Sequence, residues 1–379
     1  MEVSFLTATD LSEKNGQSIY AYYTLMSILE CDELYVHLYC PKPKSESILE
    51  QLSNQYNFSY KIIHTEKRRM NFLWHITFQL LLLKELLLAK SKNISALIYS
   101  LKPYFVAPLL YSFFYKVPIF LFIEGLSEKQ AEKFFNSKPI RSLLVFIIRS
   151  QVKRASRLYP AYSECKEWTD RIRNDNKSTI LTSCADPNIF VPVNSRSRNQ
   201  NLVIGYVGSF KKDVHLLEEL IEASFNINIT IKLLGEGNDK EYLQSKVFSE
   251  SMNKNIHFLS PQPQENLPSF FAECDVMWGA TNPNHWAIPI KCFEYLACNK
   301  KIIYTEKPEL SFVYKLGYGF PLKEGTIPEI EELLSNLNHV FHLENLKDNE
   351  TSRDYIIRNH TWSIYGKTLV NDMKELSVI

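Results

Sequence analysis

Short apolar runs recur along the first half of the chain, each followed by a longer stretch with helical spacing. Residues 3–7, 34–38, 96–100, 119–123 and 158–160 have the length and the β-branched or aromatic content of strands. Helical patterns fall around 17–29, 70–91, 103–116 and 127–155. Strands that alternate with helices predict a parallel, doubly wound sheet. A polar stretch, 194–201, interrupts the pattern and reads as a linker. The alternation then restarts, with strands at 202–207, 229–234, 256–259, 276–278 and 301–305. Helices are expected at about 213–224 and from about 290 onward, and residues 326–377 are mainly helical in pattern. The expected fold class is α/β, with two Rossmann-like, doubly wound domains at 1–193 and 194–360 and a C-terminal helix over 361–379. Strand C-terminal ends, where open α/β sheets bind ligands, would face a cleft between the two.

Composition narrows this picture. The length of 379 residues suits two cores rather than one, and 45% hydrophobic with 22% charged residues is a globular balance. The longest apolar segment, 78–89, is interrupted by Lys84 and Glu85 and falls short of a membrane span. It reads as a helix buried against a sheet. The alternative is an interfacial helix, given Lys67, Arg68 and Arg69 upstream. Net charge is +1, but residues 1–192 hold 24 Lys/Arg against 18 Asp/Glu, and the remainder 19 against 24. A basic first half is expected to meet an anionic lipid surface or a lipid diphosphate, not nucleic acid. Seven cysteines without a CxxC pair read as reduced thiols, and the N-terminal residues lack the features of a signal peptide. The expected location is cytoplasmic, peripheral at the inner face of the membrane.

The densest chemistry lies at 288–303. Lys291 and Glu294, three residues apart at the start of a helix, share a face and can point at one ligand. A cation and a carboxylate at a helix N-terminus suit a sugar nucleotide, the lysine on phosphate and the carboxylate on ribose hydroxyls. An exposed ion pair on an amphipathic helix is the plainer alternative. Gly208 ends a strand where backbone must approach a ligand, and Lys211 or Lys212 adds positive charge at the following helix. Gly235 and Gly237 repeat the strand-then-turn pattern and either border a nucleotide base or form an ordinary tight turn. These sites follow strands of one sheet, so their tips should converge. His285, with Asn282, Asn284 and Trp286, lies in a loop expected to border a sugar. In the first domain, Glu124 caps the apolar strand 119–123 as a candidate base or acceptor-orienting group. A polar loop with Gly16 follows the first strand, on the acceptor side. There is no nucleophile elbow, no Walker A loop, no GxGxxG and no Asp-x-Asp pair, so a metal-held diphosphate is disfavoured.

Three stretches together resemble the GT-B glycosyltransferases, specifically the GT4-like (group 1) branch of bacterial surface polysaccharide synthesis. Residues 183–192 look like its NGVDxxxFxP segment, 205–217 like GxVGxxxxxKGxxxL, and 289–303 like PxKxFEYxAxGKPVI. The resemblance implies that Glu294 holds the ribose, that Lys211 or Lys212 and Lys291 neutralise the diphosphate, and that Ser209 and Ile290 join the donor site. It also implies a metal-free reaction without cofactor, a nucleotide-diphosphate sugar donor (a UDP-sugar being expected), a glycan or lipid-linked acceptor, and a last helix that returns to the first domain. Trp286 stands where the family's EX7E motif has its first glutamate, Ser209 where an arginine is frequent, Asn299 for a glycine and Lys301 for a proline. Donor sugar and stereochemistry are left open by these departures, and inversion would give Glu124 the larger role. The alternatives are a GT-B sugar-nucleotide epimerase and a catalytically degenerate scaffold subunit.

Overall fold

The computed structural model describes residues 1–13, 15–63, 72–89, 93–125, 128, 137–173, 175, 177–194, 201–249, 255–285, 287–343 and 350–377. Trp286, the basic run 67–69 and most of the 194–201 linker lie outside the described residues. Contacts divide the chain into one unit of 1–182 with 362–379 and another of 183–361. Residues 183–193, which the sequence pattern attached to the first domain, pack with the second. The Arg353 guanidinium donates to the carbonyls of Pro187, at 2.8 Å, and Phe190, and the Phe190 ring stacks on Phe271.

The first unit is a parallel sheet of β1 (Glu2–Leu6), β2 (Tyr35–Cys40), β3 (Phe58–Ile62), β4 (Ala96–Ser100), β5 (Ile119–Ile123) and β6 (Arg157–Pro160), in the order β3-β2-β1-β4-β5-β6. Central strands of a sheet covered on both faces are apolar throughout, and every residue of β5 is buried. Helices α1 (Gly16–Leu29) and α2 (Ser47–Ser53) connect β1, β2 and β3; α3 (Phe72–Leu88), α4 (Ala107–Tyr115) and α5 (Lys138–Arg154) connect β3 through β6; α6 (Ser163–Ile172) follows β6. Right-handed crossovers put α1 and α2 on one face of the sheet and α3, α4 and α5 on the other.

The second unit repeats the plan. Its strands are β7 (Val203–Val207), β8 (Thr230–Leu234), β9 (Ile256–Leu259), β10 (Val276–Trp278), β11 (Lys301–Thr305) and β12 (Gly319–Leu322), in the order β12-β11-β10-β7-β8-β9. Its helices are α7 (Lys212–His215), α8 (Leu217–Ala223), α9 (Lys240–Ser249), α10 (Leu267–Ala272), α11 (Ile290–Ala297), α12 (Ser311–Lys315), α13 (Ile327–Leu343) and α14 (Glu350–Asn359). The last helix, α15 (Trp362–Ser377), packs on α1 in the first unit. There the Tyr20 and Tyr365 hydroxyls lie 2.6 Å apart, the Tyr23 ring stacks on Trp362, and the Tyr159 hydroxyl donates to Asp372.

Two strands escape the sequence pattern, β3 and β12. Both are edge strands: β3 buries one residue fully, and β12 carries Gly319 and Pro321, so neither shows an apolar run. The single helix expected over 213–224 is two helices, because Leu216 takes a left-handed conformation, φ 50°, and breaks it. Its buried side chain faces Gly325. Tertiary packing overrides helix propensity at that residue.

A glycine-lined site at the switch point of the second sheet

In the second sheet, β7 and β10 are neighbours, and the chain order runs in opposite directions away from them. Loops after such strands diverge and leave a crevice for ligand. The turn after β7 holds Gly208 at φ 147°, and the turn after β8 holds Gly235 at φ 149°. The two turns are pressed together. A Cβ on Gly235 would stand 1.9 Å from the Gly208 carbonyl oxygen, and one on Gly237 would stand 2.3 Å from that of Phe210. The Phe210 N–H donates to the Glu236 carbonyl at 2.9 Å and ties the loops. Only glycine fits where the conformation is left-handed and another backbone is this close.

Lys291 comes up against the same turn from α11. Its ammonium sits 4.0 Å from the centroid of the Tyr206 ring, a cation–π contact, and a Cβ on Gly208 would lie 2.5 Å from it. Burial lowers the Lys291 pKa to about 7, against the smaller opposing pull of Cys292 and Glu294. Glu294, one turn further along α11, is raised to about 7 by burial, while Lys291 and a side-chain hydrogen bond from Gln264 act the other way. Both residues retain some accessible surface, so a ligand can reach them. The helix is braced against β7, where the Val207 N–H donates to the Tyr295 hydroxyl at 3.0 Å, and the Tyr206 hydroxyl holds the turn after β7 by donating to the Ser209 carbonyl at 2.7 Å.

The remaining residues separate into two groups. Ile290 opens α11 behind Pro289, and Ser209 is exposed beside Gly208. Lys211 caps α7 and is exposed; its charge reaches both His215 and His285. His285 is depressed by burial, and its Nδ1 lies 3.4 Å from the Ala287 carbonyl. Lys212 points elsewhere, its ammonium 4.3 Å from the centroid of the Tyr242 ring. Sequence reasoning passed over Tyr206, Gln264 and His215. Gln264 stands in the loop after β9, at the same sheet edge, and that position was its one available signal. His215 has a buried Nδ1 with no hydrogen-bond partner and a pKa well below the ordinary value, from burial first and Lys291 second. Asn299, in the place of the glycine, takes φ 60°. Asparagine is among the non-glycine residues that tolerate this conformation, so the turn into β11 is kept.

In the first unit, Glu124 follows β5. It accepts from the Ser100 hydroxyl at the end of β4, and the Lys102 ammonium lies 4.0 Å from its other oxygen. Gly16 opens α1 behind the Asn15 cap, and a Cβ there would meet nothing within 4 Å. Among the described residues no cluster of His, Cys, Asp and Glu is placed to hold a metal ion.

Residues 191–354 match the family model described as "Glycosyl transferases group 1". Sucrose-phosphate synthase from Thermosynechococcus elongatus superposes with a TM-score of 0.77 at 11% identity, covering 100% of this chain and 99% of that one. Residues 191–354 form a group 1 glycosyltransferase domain, and the chain as a whole has the GT-B fold. HepE from Anabaena, solved with UDP and glucose, gives a TM-score of 0.74 at 12% identity over 100% of both chains. The apo lipopolysaccharide outer core galactosyltransferase WaaB gives 0.70 at 14%, with 99% of each chain covered. At these identities the likeness is one of fold. No curated protein matches the sequence. The group 1 match spans the glycine turns, Lys291 and Glu294.

Proposed function

We propose that this glycosyltransferase moves a sugar from a UDP-sugar to a glycan or lipid-linked glycan at a membrane surface, in polysaccharide assembly, without a metal. The observation that carries the reading is the Lys291 ammonium, held on the Tyr206 ring against Gly208 with Glu294 one turn away. The glycine turns let phosphate approach backbone, and Lys291 places a full charge where the departing diphosphate gains its own. Glu294, oriented by Gln264, accepts from the ribose hydroxyls. HepE, a fold relative, was solved with UDP and with UDP-glucose, which supports a uridine donor. As the bond between the anomeric carbon and the diphosphate oxygen breaks, the acceptor oxygen bonds to that carbon and gives up its proton. Glu124 takes the proton if the reaction inverts; the leaving phosphate takes it if configuration is retained.

The test is a thermal-shift panel of UDP, GDP, CMP and their sugars on wild type and Glu294→Ala. Ligands that bind only the native state raise the melting temperature by mass action. Stabilisation by UDP and UDP-sugars that is lost in the variant supports the site. A wild type that no nucleotide stabilises points instead to the scaffold reading, and turnover of free UDP-sugar without acceptor points to an epimerase. The group 1 match favours transfer over both.

A further inference from the structure

The face of the first sheet covered by α3, α4 and α5 is apolar on both sides of its helices. Trp74, Phe78, Leu82 and Leu86 of α3 recur every four residues and are buried against the sheet. A soluble helix normally turns polar residues outward from such a stripe. Here Leu80 and Leu88 of α3, Phe113 and Phe114 of α4, and Leu143 and Phe146 of α5 face solvent instead. Phe113 is 68% exposed, Phe114 71% and Phe146 69%. Of the twenty large apolar side chains left exposed among the described residues, ten lie on these three helices, so the exposure is concentrated rather than scattered.

Charge identifies the occupant. Helix α5 carries Lys138, Arg141, Arg149, Lys153 and Arg154 and no acidic residue; α3 adds Lys84. The only acid on the three helices is Glu85, which is 3.6 Å from Lys61, and Arg149 is paired with Glu128 at 2.7 Å. A second copy of the chain would set this basic face against itself in a two-fold interface, with like charges opposed. Anionic lipid satisfies both parts, taking aromatic and aliphatic side chains into the headgroup boundary and cations onto phosphates. No helix among the described residues is long and apolar enough to cross a membrane. We propose that the outer face of α3, α4 and α5 docks on the surface of an anionic bilayer. This deepens the lipid-linked acceptor reading by naming the surface, and its evidence is independent of the donor site.

Flotation of the full chain with phosphatidylcholine vesicles, with and without phosphatidylglycerol, tests it. Wild type should float with the anionic vesicles only, and added salt should weaken binding. Combined Phe113→Ser, Phe114→Ser and Phe146→Ser should abolish flotation, and Arg141→Glu with Lys153→Glu should reduce it severalfold. Each variant should keep the wild-type melting temperature and UDP shift; if the triple variant does not fold, Phe146→Ser and the charge-reversed pair carry the test. Wild type that stays at the bottom with anionic vesicles overturns the proposal, as does undiminished flotation of the folded variants. A wild-type dimer that the triple variant converts to monomer also overturns it, making the face an interface between copies. A missing UDP shift with flotation intact would sink the donor reading alone.

Discussion

The turns after β7 and β8 and the turn after β1 occupy equivalent places in two similar sheets, yet their glycines do different work. Gly208, Gly235 and Gly237 are held as glycines, Gly208 and Gly235 by left-handed backbone and Gly235 and Gly237 by neighbouring backbone that leaves no room for a side chain. Gly16 has open space around it. The difference teaches that the loops of the second sheet are packed tightly on one another, as a donor site of fixed outline would need under the proposed function, whereas the loop after β1 leaves room for change. A nucleoside diphosphate is the same molecule whatever sugar it carries, and acceptors differ.

The largest effect should separate those glycines. Gly235→Ala places a methyl group against the Gly208 carbonyl and should abolish the UDP-dependent thermal shift while lowering the melting temperature of the second unit. Gly16→Ala should leave both unchanged, and if it harmed UDP binding as much the contrast between the loops would be wrong. Next comes Glu124→Gln. A general base contributes roughly 10²- to 10⁴-fold, so an inverting enzyme should lose at least about 10² in kcat with its UDP shift intact. A loss of only a few-fold would reduce Glu124 to orienting the acceptor. Lys291→Met should weaken UDP binding about 10- to 100-fold, the 1.5–3 kcal/mol of a hydrogen bond to a charged group, in a calorimetric titration. Unchanged affinity would move the phosphate contact to Lys211.

The smallest effect is on pH dependence, where the sign differs between the pair. Glu294 rises from 4.5 to about 7, so the folded state holds its proton longer and stability falls as pH climbs through that interval. Lys291 drops from 10.5 to about 7, so stability rises again above neutrality. Melting temperature should therefore pass through a shallow minimum near pH 7 in the free protein. UDP should bind with proton uptake at about pH 8, because the diphosphate requires Lys291 charged. Lys291→Arg should flatten the proton uptake. Buffer-independent binding enthalpy in the wild type would contradict the assignment.

Much of this was readable in the chain. The continuous apolar strands, the glycines after β7 and β8, and Lys291 three positions before Glu294 are local features, set by periodicity and by what a turn permits. Sequence also marked 78–89 as a helix too interrupted to cross a membrane, and offered burial and interfacial exposure as rivals; in the fold one stripe of α3 is buried and the opposite face exposed. The edge strands β3 and β12 were invisible because half-exposed strands need no apolar run. The break at Leu216, the ring of Tyr206 beneath Lys291 and the hydrogen bond from Gln264 to Glu294 join residues tens of positions apart. Sequence by itself determined the elements, their alternation and the residue types able to meet a phosphate, since these follow from side-chain period and backbone freedom. Only the tertiary structure decided that Lys291 rather than Lys212 stands at the glycine turn, and that the exposed phenylalanines of α4 and α5 share a face. Packing of separate segments fixes where a flexible side chain can point, and no local pattern encodes that.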